Sequence, residues 1–208
     1  MIAAIVLAGG RGSRLGGVDK AAVNVGGRPL VDHVYAALDG CAPIVAVGPA
    51  SIQRPGVRVV REDPPFGGPV AAIAAALEML ADVNEIWADK TSADETWLLA
   101  CDLPRAERIV ARLTSEEIGP DDGVVLVDGS GHVQWLAGRY RTSALRRAVA
   151  GLPVPAGASM RRLLDELRLR TVDDPDHAGI DIDTPEDLVA FETPDPHAKP
   201  HRTKDCHR

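Results

Sequence analysis

The chain has 208 residues, 45% of them hydrophobic and 25% charged, a composition that suits one globular domain with a full core. A formal net charge of −7 argues against a general nucleic-acid binder, and no apolar run approaches the length that spans a membrane. Aromatic residues make up only 3%, so the core has to come mainly from Ala, Val, Leu and Ile.

The first element is an apolar run over residues 3–8, with the length and Ile/Val content of a buried parallel strand. No basic residue precedes it and glycines end it, so it does not read as a secretory signal. Gly9, Gly10, Gly12, Gly16 and Gly17 then crowd a short loop that also holds Arg11, Arg14 and Lys20. Glycines let a ligand approach the main chain, exposed N–H groups cradle anions, and the cations add charge that bare amides lack. The chemistry suggested is a nucleoside triphosphate held against backbone; the plainer alternative is a tight turn beneath a sheet. The glycine spacing is one residue too long for the dinucleotide fingerprint G-x-G-x-x-G. Lys20 is followed by Ala21 rather than Ser or Thr, so the P-loop pattern fails as well.

Residues 30–38 read as a helix with Val31, Val34, Ala37 and Leu38 on one face and His33 turned outward. Strands follow over residues 43–47 and 57–60, the second ending in Arg61-Glu62-Asp63. The loop Pro64-Pro65-Phe66-Gly67-Gly68-Pro69 leads into an Ala-rich helix over residues 70–81, with Pro69 in the first turn, where its missing N–H costs nothing. Gly68 is expected to allow close approach of a nucleotide, or simply to join strand to helix. Residues 83–95 read as a polar surface excursion, then 96–101 as a strand running into Asp102-Leu103-Pro104 and a helix over 105–113. Asp102 thus stands at the carboxyl end of a central strand, where open α/β sheets bind ligands, though Asp there also serves as a helix cap. Strands alternating with helices predict an α/β fold: three layers, a Rossmann-like, mostly parallel sheet with helices on both faces.

Residues 123–127 and 132–140 read as strands joined by the turn Asp128-Gly129-Ser130-Gly131. Trp135 and Tyr140 suit either the core or a wall for a flat ligand. Arg139, Arg141, Arg146, Arg147, Arg161 and Arg162 form a basic stretch, read either as solvated helix faces or as binding a substrate phosphate. Asp181 and Asp183 precede Thr184-Pro185, a capped helix start, and an acidic pair there can face a metal ion. Residues 1–192 read as one domain and 193–208, rich in Pro, His and Lys, as a disordered tail. Cys41, Cys101 and Cys206 have neither metal nor disulfide spacing, so a reducing cytoplasm is expected.

Leu7-Ala8-Gly9-Gly10, Arg14-Leu15-Gly16 and Asp19-Lys20 resemble the molybdenum cofactor guanylyltransferase family, whose signature runs L-A-G-G, a spacer, R-M-G, then D-K. Gly68-Pro69-Val70-Ala71-Ala72 is similar to its G-P-L-A-G, with Ala72 in place of the last glycine, and Cys101-Asp102-Leu103-Pro104 to its C-D-x-P. The resemblance implies the nucleotide-diphospho-sugar transferase type of fold. It implies nucleotide binding at Leu7, Ala8, Gly9, Gly10, Lys20, Asp63, Gly68 and Asp102, with Mg²⁺ held by Asp102 and Asp183. It implies catalysis by Lys20, Arg14 and Asp102, with GTP and molybdopterin as substrates and cofactor-supplying or molybdoenzyme-chaperone proteins as partners. At Asp181-Ile182-Asp183-Thr184-Pro185 the chain departs from the family's N-x-N-T-P and is closer to relatives that transfer cytidylate.

The function expected is transfer of GMP from GTP to molybdopterin with release of pyrophosphate. The alternatives are another small nucleotidyltransferase, for cytidylate or a sugar phosphate, and a non-catalytic nucleotide-binding regulator. The reaction pairs two anionic reactants, so charge neutralisation matters most. Lys20 and Arg14 would hold the phosphate oxygens, and no general base is needed because a phosphate monoester is already ionised near pH 7.

Overall fold

Strand β1 (Ile2–Leu7) is buried from Ala3 onward and pairs in parallel on both sides, with β4 (Ile44–Val47) and with β6 (Glu95–Ala100). A strand covered on both faces can be apolar at every position, which is why Ala3-Ala4-Ile5-Val6-Leu7 shows no polar alternation. Ala4 and Val6 point into one apolar cluster, while Ala3, Ile5 and Leu7 point into another. The computed structural model describes residues 1–9, 20–86, 93–182, 184, 187, 188 and 191.

The sheet has seven strands in the order β5-β4-β1-β6-β8-β7-β9, where β5 is Val57–Val60, β7 Gly123–Val127, β8 Val133–Arg141 and β9 Leu169–Asp173. Only β8 runs against its neighbours; β7 and β9 pair in parallel with each other. The carboxyl ends of β1, β4, β5, β6, β7 and β9 therefore share one edge. Helices α1 (Leu30–Ala37) and α3 (Ala106–Thr114) cover one face, through Val31, Val34, Ile109 and Leu113. Helices α2 (Pro69–Ile86), α4 (Thr142–Ala150) and α5 (Met160–Leu164) cover the other, through Val70, Ile73, Leu77, Leu145 and Leu163. This is the three-layer α/β architecture expected. A third, small cluster packs Val25 and Leu30 against Ile182, Leu188 and Phe191.

Several expectations are corrected. Helix α2 continues to Ile86, into the stretch expected to be a surface excursion. Its sequence holds neither Gly nor Pro after Pro69, so nothing stops it at residue 81. Strand β9 was not foreseen: Leu169–Asp173 alternates poorly, with Arg170 and Thr171 both exposed on a sheet edge. A small hairpin, β2 (Asn24–Val25) with β3 (Arg28–Pro29), turns on Gly26 and Gly27 at φ +59° and +79°. That Gly-Gly pair is the signal which identified it. Residues 193–208 lie outside the described residues. No helix among the described residues is long and apolar enough to cross a membrane.

Candidate active site

The sheet ladder continues past the ends of the strands and fixes the start of the glycine loop. Ala8 N–H donates to Val47 O at 2.8 Å, and Cys101 N–H donates to Leu7 O at 3.0 Å. Gly48 is crowded here: a Cβ on it would lie 2.9 Å from Ala8 O, so any larger residue would push β1 and β4 apart. Leu7 and Ala8 are buried and Gly9 is exposed, so the chain emerges from the core at Gly9. Gly10 and Arg14 lie outside the described residues.

The chain is described again from Lys20, which opens a 3₁₀ turn (Lys20–Ala22) anchored by buried Ala21. Lys20 Nζ lies 3.3 Å from Asp102 Oδ2, joining residues 82 apart in sequence. Asp102 follows β6, beside β1, so the sheet order itself brings the ammonium and the carboxylate together. Ile182 N–H donates to Asp102 O at 3.1 Å, which docks the acidic segment against the same point. Burial pushes the Asp102 carboxyl above its ordinary range; Lys20 opposes the rise and the charge on Asp181 adds to it. Asp183 lies outside the described residues.

A desolvated carboxylate with a second carboxylate in its field is a donor set that suits a hard divalent cation. Among the described residues no group of three or more His, Cys, Asp or Glu could hold a metal. One or two carboxylates completed by substrate phosphates and water is the usual holding of Mg²⁺, so the residues fit that ion.

On the β5 side, Asp63 is exposed, and its neighbour Glu62 turns toward the loop. A Cβ on Gly9 would lie 3.7 Å from Glu62 Oε1. Glu62 was not singled out from the sequence; the signal available was its place next to Asp63 at a strand end. Gly68 has φ +90° with nothing within 4 Å of a Cβ, so the conformation requires glycine there. Crowding within the protein falls instead on Gly67, where a Cβ would lie 2.9 Å from Ala71 Cβ.

The basic stretch divides. Arg139, 7% exposed, pairs with Glu95 at 3.1 Å, donates to Leu113 O and Glu116 O, and lies over the Trp97 ring. Arg141 donates to Asp121 O, and Arg147 pairs with Asp122 at 3.0 Å. Arg139 and Arg141 register against Trp97 and Glu95, at the amino end of β6. From Trp97 to Asp102 is five residues, roughly 16 Å of strand. Arg139 and Arg141 are therefore structural and do not reach the site edge. Arg161 and Arg162 are exposed on α5. Tyr140 is fully buried, with its hydroxyl donating to Trp135 O at 2.7 Å, so it is core; Trp135 is half-buried. His33 is half-buried too, with Nε2 3.0 Å from Val25 O.

A family model described as the MobA-like NTP transferase domain matches residues 4–172. The chain belongs to the MobA-like NTP transferase family. It is 31% identical over 167 residues to a molybdenum cofactor guanylyltransferase of Acidiphilium cryptum, covering 78% of this chain and 72% of that one. A protein of the same name from Bradyrhizobium sp. is 35% identical over 142 residues, covering 65% of this chain and 64% of its own length. The fold is similar to the crystal structure of molybdopterin-guanine dinucleotide biosynthesis protein A from Archaeoglobus fulgidus. The TM-score is 0.65 at 21% identity, over 91% of this chain and 96% of that one. This NTP transferase is thus an enzyme of the nucleotidyltransferase type, and the edge holding Gly9, Lys20 and Asp102 is where its nucleotide chemistry belongs.

Proposed function

We propose that the protein transfers GMP from GTP to molybdopterin, releasing pyrophosphate and forming the guanine dinucleotide form of the molybdenum cofactor. The relatives' names support the reaction, and the observation that carries it is the Lys20–Asp102 pair, 3.3 Å apart at the ends of β1 and β6. A phosphate oxygen of the acceptor attacks the α-phosphorus of GTP. The new P–O bond forms as the bond to the β-phosphate oxygen breaks, and that oxygen leaves with the electron pair as pyrophosphate. Mg²⁺, held by Asp102 with Asp181 or Asp183 beside it, would supply charge neutralisation on the phosphate oxygens. Lys20 balances the charge that grows on the leaving group, and Arg14 is assigned to the same phosphates. Gly9 and Gly10 offer main-chain N–H groups, while Gly68 closes the loop on the β5 side. Guanine presents donors at N1 and its 2-amino group, and the acceptors proposed for them are the main chain at Leu7 and Ala8 and the carboxylate of Asp63 or Glu62.

Asp181-Ile182-Asp183 favours a second reading, transfer of cytidylate to the same acceptor. Offering GTP and CTP at equal concentration with molybdenum cofactor, and resolving the dinucleotide products by mass, tests the choice. We expect guanine dinucleotide to predominate; a predominantly cytosine product would overturn the assignment. The free thiols of Cys41 and Cys101 suit a reducing cytoplasm, where cofactor-supplying or molybdoenzyme-chaperone proteins are the partners proposed.

A further inference from the structure

Phe66 is a large apolar ring that is 63% exposed. Its φ is +63°, a left-handed conformation that bulky side chains rarely adopt. The surroundings hold it there. Phe66 N–H donates to Glu62 Oε1 at 3.1 Å, and Gly67 N–H donates to Pro64 O at 3.0 Å. Gly67 O in turn accepts from Gly157 N–H at 2.8 Å. The loop is also wedged in place: a Cβ on Gly67 would lie 2.9 Å from Ala71 Cβ in α2 and 3.5 Å from Ala156 Cβ. Folding alone gives no reason to strain the backbone so that an apolar ring faces water. Such outliers persist where the structure over-determines them, and they gather at ligand sites.

The loop leaves the carboxyl end of β5, on the edge that carries Lys20 and Asp102. In the order β5-β4-β1-β6, the ends of β5 and β6 stand three strand spacings apart, roughly 14 Å. That is the scale of a nucleoside triphosphate laid along the edge. With its phosphates at Gly9, Lys20 and Asp102, such a nucleotide directs its base toward β4 and β5. Glu62 links the two ends, since its carboxylate lies against Gly9 and also fixes the Phe66 N–H.

We propose that Phe66 is a stacking plate for the guanine base of the bound nucleotide. This rests on the nucleotidyl-transfer reading above and extends it to the base. Stacking on an aromatic ring serves every base, because every base has a π-face. Phe66 therefore supplies affinity, and the choice among bases falls to acceptors at the base edge, of which Glu62 is placed nearest to Gly9. The ring adds nothing to the triphosphate end.

The test compares wild type with Phe66→Gly and Phe66→Trp, titrated with GTP and separately with inorganic tripolyphosphate. Phe66→Gly removes the ring and suits a positive φ, so its thermal midpoint should match or exceed that of wild type. Its GTP dissociation constant should rise roughly tenfold or more, the scale of one lost base stack, while tripolyphosphate binding stays the same. Phe66→Trp should keep GTP affinity, with the new indole fluorescence quenched by GTP and not by tripolyphosphate. Unchanged GTP affinity in Phe66→Gly overturns the proposal. So does an equal loss of tripolyphosphate affinity or a lowered thermal midpoint, either of which marks Phe66 as a loop-shaping residue. If wild type binds tripolyphosphate but no nucleotide, the nucleotidyl-transfer reading falls and takes this one with it.

Discussion

Asp102 is where function and stability pull apart. Burial raises its pKa against the opposing pull of Lys20, so the fold favours the protonated acid relative to the unfolded chain. The sign follows directly: this group's contribution is most favourable below the unfolded value of 3.8 and is lost as pH rises through the raised folded value. At neutral pH the carboxylate is held ionised at a cost to stability. Asp102→Asn, neutral and of equal size, is therefore expected to raise the thermal midpoint at pH 7 while removing nearly all transfer. Calorimetry and a pyrophosphate-release assay on the same preparation check both halves. Turnover within about tenfold of wild type, a barrier change of only ~1.4 kcal/mol, would remove Asp102 from the mechanism. Lys20 and Asp102 were both legible in the sequence, because each stands where a strand gives way to a loop. Glu62 was not, because two adjacent acidic residues look alike until the backbone decides which side each faces.

Among the elements, the β7–β8 hairpin is set by one side chain. Asp128 Oδ1 accepts from the N–H groups of Ser130 and His132, each at 2.9 Å, and from the Ser130 hydroxyl. Its Oδ2 accepts from Gln134 at 3.1 Å. The His132 N–H and the Ser130 hydroxyl, then the Ser130 N–H, hold its pKa down from 3.8 to about 2. A depressed carboxylate contributes stability that is present above the unfolded value and is lost as pH falls through the folded one. Asp128→Ala should lower the thermal midpoint at pH 7, and the gap from wild type should close between about pH 4 and pH 2. A gap that stays constant over that window would mean the side chain acts by shape alone. The Asp-Gly-Ser-Gly turn was readable because its residues are local to it. Helix α2 was misjudged at its carboxyl end because polar residues there are compatible with a helix that one face still packs.

At the scale of the whole molecule, Arg139 ties layers together. It links Glu95 in β6 to the end of α3 through Leu113 O and Glu116 O, and is nearly buried in doing so. Arg139→Ala would strand the Glu95 carboxylate and leave those carbonyls without their donor, an expected loss of ~3–5 kcal/mol in urea unfolding. Because this tie lies at the amino end of β6, the GTP dissociation constant of the folded variant should not change; a large rise would return Arg139 to the substrate site. In the sequence Arg139 and Arg141 resembled a substrate-phosphate cluster, and the direction of β8 decides otherwise. The apolar run, the glycine loop, Lys20, Asp102 and the alternation of strands and helices were fixed by local chemistry: side-chain period, glycine's conformational freedom and residue charge are properties of short segments. The antiparallel insertion of β8, the edge position of β9, the turning of Glu62 toward Gly9 and the exposure of Phe66 were decided only by tertiary structure. Each depends on which strand lies beside which and in what direction, and that is set by burial summed over the whole core.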